Sequence, residues 1–163
     1  MSHKTNAKII FSNPFHWLAF GFGSGLAPKA PGTFGTLVAV PLVWLMAETN
    51  IWIYASVCIA LCVSGIFICQ YTAKALGVHD HPGIVWDEIA GYAIAMFGFS
   101  ATWQNLFIAF ILFRVFDIVK PWPIKWADQR VSGGLGIMLD DIIAGIFAWL
   151  GLQGIHWLWF GSI

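Results

Sequence analysis

The sequence predicts an all-α protein: a membrane-embedded helical bundle of about five to six helices, some short or half-spanning, built by residues 1–163 as a single domain. Three observations lead there. Hydrophobic residues make up 59% of the 163, above the ~45–50% of ordinary globular chains. Charged residues make up 10%, where a soluble surface needs about a quarter of the chain, so most of the outside must face lipid. Residues 49–73, 89–113 and 142–163 contain no Asp, Glu, Lys or Arg, and each window can hold the roughly 20 apolar residues of a bilayer crossing. The formal net charge is zero, which removes the basic footprint of nucleic-acid binding.

The elements follow in order. Lys4 and Lys8 precede an apolar stretch interrupted by Ser12, Asn13, Pro14 and His16, which suits a short helix near 12–21 better than a signal peptide. A Gly- and Pro-rich loop then leads into a helix over 35–47. A longer one follows at 51–71, where Cys58, Cys62 and Cys69 fall at helical spacing with no acid or His among them and read as packing residues. The 89–113 window is punctuated by Gly, Ser, Thr, Gln and Asn between Gly98 and Asn105, giving two helices, 86–99 and 104–120, joined by a turn. Pro121 disfavours helix at the residue before it, and a last helix is expected over 140–160. If successive helices alternate direction, segments 22–35, 72–87 and 120–140 share one side and carry nearly every charge. Their lysines and arginines make that side cytoplasmic by the positive-inside rule. The ten tryptophans fall mostly near helix ends, as interfacial anchors do, with bundle packing the competing role.

Five of the eight acids cluster in three places: Asp87 with Glu88, Asp117, and Asp140 with Asp141. Acids beside apolar spans are expensive unless paired, metal-bound or functional. The stretches 83–91 and 136–145 resemble each other, each placing acids at an expected helix start and small residues one turn later, so that two helices can approach and bring their carboxylates together. Helix capping is the plain alternative for each pair. The whole set favours a hard-cation site, and oxygen ligands favour Mg²⁺ over zinc. Arg114, Asp117 and Lys120 are spaced three apart on one expected helix face; one Asp cannot neutralise both cations, which leaves positive charge for a phosphate. The loop from Gly23 to Thr36 offers Lys29, Gly32 and Thr33 before a helix N-terminus that favours an anion, though it lacks the ending of a nucleotide P-loop. Arg130 is a further basic candidate. His79 and His81 flank Asp80 as a weak metal motif without a third nitrogen ligand.

Taken in order, Ser12-Asn13-Pro14, the glycines from Gly21 to Gly25, Pro31-Gly32-Thr33, His79-Asp80-His81, Trp86-Asp87-Glu88, Asp117 with Lys120-Pro121-Trp122-Pro123, and Gly133 to Asp141 resemble the phosphatidylglycerophosphatase A family of bacterial membrane phosphatases. The resemblance implies a phosphoric monoester hydrolase. It would remove the terminal phosphate of phosphatidylglycerophosphate with Mg²⁺, yielding phosphatidylglycerol for phospholipid biosynthesis, at the cytoplasmic face of a bacterial inner membrane. It also implies an all-helical bundle with one helix enclosed by others. Asp87, Glu88, Asp117, Asp140 and Asp141 match the family's acidic positions and Gly32, Thr33 and Lys120 its polar ones, whereas Lys29, Arg114 and Arg130 rest on charge and placement alone. The expected catalytic set is Asp87, Glu88, Asp117 and Asp141, with Asp140 joining them as metal ligands. A small ion or metal transporter using the same acids is the rival reading; it would need carboxylates near mid-membrane.

Overall fold

The computed structural model describes residues 3–78 and 81–160, with side chains for 7–78 and 81–159. Among the described residues all regular structure is helical. The α-helices are α1 (His3–Phe11), α2 (Pro14–Ala19), α3 (Pro31–Ala47), α4 (Ile51–Leu76), α5 (Trp86–Ala95), α6 (Trp103–Val119), α7 (Ile124–Arg130) and α8 (Gly133–Phe160), and a 3₁₀ segment covers Gly21–Leu26. The count exceeds the five to six expected. The interrupted N-terminal stretch splits at Asn13, whose side chain caps α2 by accepting from the Phe15 N–H. The linker before Gly133 also folds, as α7.

Local chemistry sets the boundaries. Asn50 caps α4 by accepting from the Trp52 and Ile53 N–H groups, and Gly77 closes it in the left-handed region, φ 68°. Thr102 caps α6, and Lys120 ends it with φ 46° immediately before Pro121. The last helix departs most from expectation: it begins at Gly133, so Asp140 and Asp141 sit about two turns inside α8 and cap nothing. Likewise α3 begins at Pro31, which places Gly32 and Thr33 in its first turn and not in a preceding loop.

Helix α5 is the enclosed one. Ile89, Ala90, Tyr92, Ala93 and Ala95 are all buried, so its surface is covered on every side. It is tied to its neighbours by side-chain donors: Trp86 Nε1 to the Leu61 carbonyl of α4 at 3.1 Å, Tyr54 Oη of α4 to the Ala93 carbonyl at 2.8 Å, and Tyr92 Oη to the Leu106 carbonyl of α6 at 2.8 Å. A Cβ at Gly145 would strike the Gly91 backbone, and one at Gly91 would lie 2.7 Å from the Asp141 carbonyl oxygen. These two glycines let α5 and α8 cross backbone to backbone, as the paired small residues predicted, and the crossing brings their acids together.

Two helices, α4 and α8, are long and apolar enough to cross a membrane. Their outer faces and that of α6 present large apolar side chains, Phe67 at 71% exposure and Trp103 at 73% among them. Cys58, Cys62 and Cys69 lie along α4 and are joined in no disulfide among the described residues. The tryptophans divide between the two expected roles: Trp52, Trp122 and Trp159 project outward, while Trp86 and Trp149 donate to backbone carbonyls inside the bundle.

Candidate active site

The first turn of α5, the last turn of α6, the first turn of α3 and the third turn of α8 converge on a cavity of about 340 Å³. Asp87, Glu88, Asp117, Asp140 and Asp141 all line it, as do Gly32, Arg114 and Lys120. Each acid reaches it for a different local reason. Asp87 and Glu88 occupy the amide-rich end of α5, where negative charge is favoured. Asp117 is carried by the C-terminal turn of α6, and the glycine crossing delivers Asp140 and Asp141.

Carboxylate oxygens of Asp87, Glu88 and Asp141 lie within 4.8 Å of one another, and Asp141 is only 2% exposed. Asp117 lies against Asp141, beside this trio. Arg114 Nη1 stands 2.5 Å from Asp117 Oδ2 and 3.8 Å from Glu88 Oε1. The short contact is an ion pair without hydrogen-bond alignment. Arg114 Nε and Nη1, Asp87 Oδ1, Glu88 Oε2 and Asp140 Oδ1 are all buried with no hydrogen-bond partner among the described residues. Orphaned acceptors on one wall and orphaned cationic donors beside them are costly in a protein left to itself. A cation and an anion bound together would satisfy both. The donor set is all carboxylate oxygen, which fits a hard divalent ion.

Lys120 lines the cavity together with Arg114 and Asp117, as their spacing suggested, but makes its ion pairs with residues of other helices. Its left-handed backbone turns it off α6 toward α8 and α7, where Nζ donates to Asp140 Oδ2 at 2.7 Å and to Asp128 Oδ1 at 2.5 Å. Burial pulls the Lys120 ammonium down, but the bonds to Asp128 and Asp140 outweigh it and hold its pKa above the usual lysine value. Asp128 was not among the candidate residues, because it sits on α7, a helix with no apolar periodicity to announce it. Lys29 and Arg130 are exposed and do not line the cavity; Thr33 is half-buried, also outside the lining, and its N–H donates to the Ala30 carbonyl at 3.0 Å. A side chain at Gly32, by contrast, would run into Glu88 Oε1 and Arg114 Nη1, so the bare backbone of α3 abuts the acids directly. His79 and Asp80 lie outside the described residues, while His81 lines the cavity with Nδ1 accepting from the Gly83 N–H at 3.0 Å.

No solved structure matches this chain. Among characterised proteins, it is 46% identical over 161 residues to a phosphatidylglycerophosphatase A from Escherichia coli, covering 95% of this chain and 93% of that one. It is 45% identical over 146 residues to a phosphatidylglycerophosphatase A from Haemophilus influenzae, covering 86% and 88%. The model of the family described as Phosphatidylglycerophosphatase A matches residues 17–156, a span that contains every residue lining the acidic cavity. With that match over most of its length, the chain belongs to the phosphatidylglycerophosphatase A family.

Proposed function

We propose that this chain, acting as one membrane-embedded helical unit, hydrolyses the terminal phosphomonoester of phosphatidylglycerophosphate to give phosphatidylglycerol and inorganic phosphate. The observation that carries the reading is the presence, in one cavity, of buried carboxylate oxygens and buried Arg114 nitrogens that make no aligned hydrogen bond. A phosphate dianion accompanied by a divalent cation has the complementary charges. The family membership supports the substrate, phosphatidylglycerophosphate, and a phospholipid substrate fits our placement of the chain at the bacterial inner membrane. The apolar outer faces and the two long helices agree with a multi-pass protein, and the convergence of charged helix ends at one cavity agrees with a site at the cytoplasmic face.

Asp87, Glu88 and Asp141 would hold Mg²⁺, with Asp117 or Asp140 completing the oxygen set; when bound, the ion supplies countercharge to the phosphoryl oxygens and lowers the pKa of a water. Arg114 binds the phosphoryl group and orients it, and its guanidinium answers the charge that grows on the equatorial oxygens. Lys120 keeps Asp140 in place and adds positive potential at the cavity wall. The Gly32 backbone, at the amide end of α3, lets the phosphate approach without a side chain in the way. Asp117 is held by Arg114 next to the trio, and the one carboxylate of the five not engaged by the ion would accept the proton of the attacking water. As the water oxygen bonds to phosphorus, the bond between phosphorus and the glycerol oxygen breaks, and that oxygen takes up the proton which the carboxylate received from the water and leaves as the alcohol. Attack by a carboxylate to give an aspartyl-phosphate is the competing route, which hydroxylamine trapping after rapid quench separates from direct hydrolysis.

Phosphate release from phosphatidylglycerophosphate in detergent, with Mg²⁺ and with chelator, tests the reading. Release that needs the divalent ion and vanishes in Asp87→Asn and Asp141→Asn supports it; release retained in both variants overturns the site. Transport by the same acids would call for charged residues along a path through the bundle, and 49–73 and 89–113 contain no Asp, Glu, Lys, Arg or His.

A further inference from the structure

Asp128 lies on α7 and does not line the acidic cavity, yet its carboxylate grips a residue that does. The Lys120 ammonium donates to Asp128 Oδ1 at 2.5 Å and to Asp140 Oδ2 at 2.7 Å, so one cation is shared between carboxylates on two helices. Side-chain exposure rises along this series, from 10% at Asp140 through 28% at Lys120 to 36% at Asp128. The three groups therefore run outward from the cavity wall, and Asp128 holds the lysine from the solvent side.

Asp140 is engaged through one oxygen only. Its Oδ2 takes the lysine, while its Oδ1 is buried with no hydrogen-bond partner among the described residues. A buried carboxylate oxygen left alone is costly, and a cation is what satisfies it. Two cations can compete for that oxygen. One is the hard divalent ion that the donor set of this cavity suits. The other is Lys120 itself, a compact charge with three donors on a flexible four-carbon stem. The base of that stem is fixed, because Lys120 sits at φ 46° immediately before Pro121, so only its tip has latitude. An ammonium drawn outward by Asp128 cannot also close over both oxygens of Asp140. Helix α7 does not need Asp128 to stay in place: Ile124 and Ala127 are fully buried on its inner side, and Asp128 is on its exposed side.

Resting on the divalent-cation part of the reading above, we infer that Asp128 is a positioning residue: by pairing with Lys120 from the solvent side, it keeps the ammonium at the rim of the acidic cavity and leaves Asp140 Oδ1 open to the cation. Without the Asp128 carboxylate, the acids left to Lys120 are Asp140 and those behind it in the cavity. The lysine then turns inward and competes with the metal from within the protein.

The test uses the full chain in detergent and reads the Mg²⁺ concentration that gives half of the maximal rise in melting temperature, which needs no turnover. Asp128→Ala keeps a strong helix former on the exposed side of α7, and it should raise that concentration by about fivefold or more. Asp128→Asn removes the charge but keeps an acceptor for the ammonium, so it should raise the half-point less. Asp128→Glu restores a carboxylate and should return the half-point to within about twofold of wild type. In phosphate release, the Asp128→Ala defect should be a raised Mg²⁺ requirement that excess Mg²⁺ overcomes, which a displaced α7 would not show. Lys120→Met removes the competitor, so adding Asp128→Ala to it should move the half-point by no more than about twofold. An unchanged half-point in both Asp128→Ala and Asp128→Asn overturns the proposal. A shift of full size in the Lys120→Met background overturns it too, because the carboxylate would then act by its charge alone. Wild type that gains no stability from Mg²⁺ removes the cation site and this role with it. Wild type that gains the stability but releases no phosphate from the lipid overturns the phosphatase reading and leaves the role of Asp128 standing.

Discussion

Replacing Asp141 with Asn should make the metal-free protein more stable while abolishing its activity, an unusual sign for a substitution at a 2%-exposed position. Two unit charges 4.8 Å apart, the outer limit for the Asp87, Glu88 and Asp141 oxygens, repel by about 3.5 kcal/mol at an effective dielectric constant of 20. Asp141→Asn removes two of the three repulsions. Proton uptake limits what the wild type suffers, since keeping an ordinary carboxyl protonated at neutral pH costs about 4 kcal/mol. The realised gain should therefore be about 1–3 kcal/mol, or about 3–10 °C in melting temperature for a chain of this size. In the wild type, Mg²⁺ at about a hundred times its dissociation constant should add about 2.7 kcal/mol, and in Asp141→Asn that increment should disappear. Thermal unfolding of both proteins in detergent, in chelator and then in Mg²⁺, reads both quantities. A variant that melts lower than wild type in chelator and still gains the full Mg²⁺ shift would refute the reasoning, because the carboxylates would then be neither mutually repelling nor metal-holding.

Three further outcomes are expected. Arg114→Lys keeps the charge but loses the planar donors that face Asp117 and Glu88, so kcat/KM in phosphate release should fall by about 100-fold or more with the fold retained by circular dichroism. Gly145→Val forces a side chain into the Gly91 backbone; overpacking should cost about 1–3 kcal/mol in thermal unfolding, and activity should fall by about 100-fold as the acids of α5 and α8 shift apart. Lys29→Ala and Arg130→Ala alter exposed cations that do not line the cavity, so KM should rise by no more than about threefold and the change should shrink as salt is added.

The helix content, the apolar exterior and the acidic residues of the site were legible from residue order alone, because each is a local or compositional property. A low charged fraction has no soluble surface to build, and long charge-free windows have few outcomes besides apolar helices. The small residues after each acidic pair also announced a close helix crossing, and Gly91 against Gly145 is that crossing. Partner choice was another matter. Spacing grouped Lys120 with Arg114 and Asp117, and all three line one cavity, but the left-handed Lys120 forms its ion pairs with Asp140 and Asp128, partners that no count along the chain contains. Asp140 and Asp141 were expected at the start of a helix over 140–160, but α8 starts at Gly133 and carries them about two turns inside, since glycines at its beginning gave no propensity signal for those first two turns. The place of His81 at the acidic cavity emerged only when the 3₁₀ segment and the stretch before α5 met backbone to backbone, a contact between residues about 60 positions apart that depends on packing and on nothing periodic. Residue order decided which groups this protein has to work with; which of them face one another was decided by the crossing of its helices.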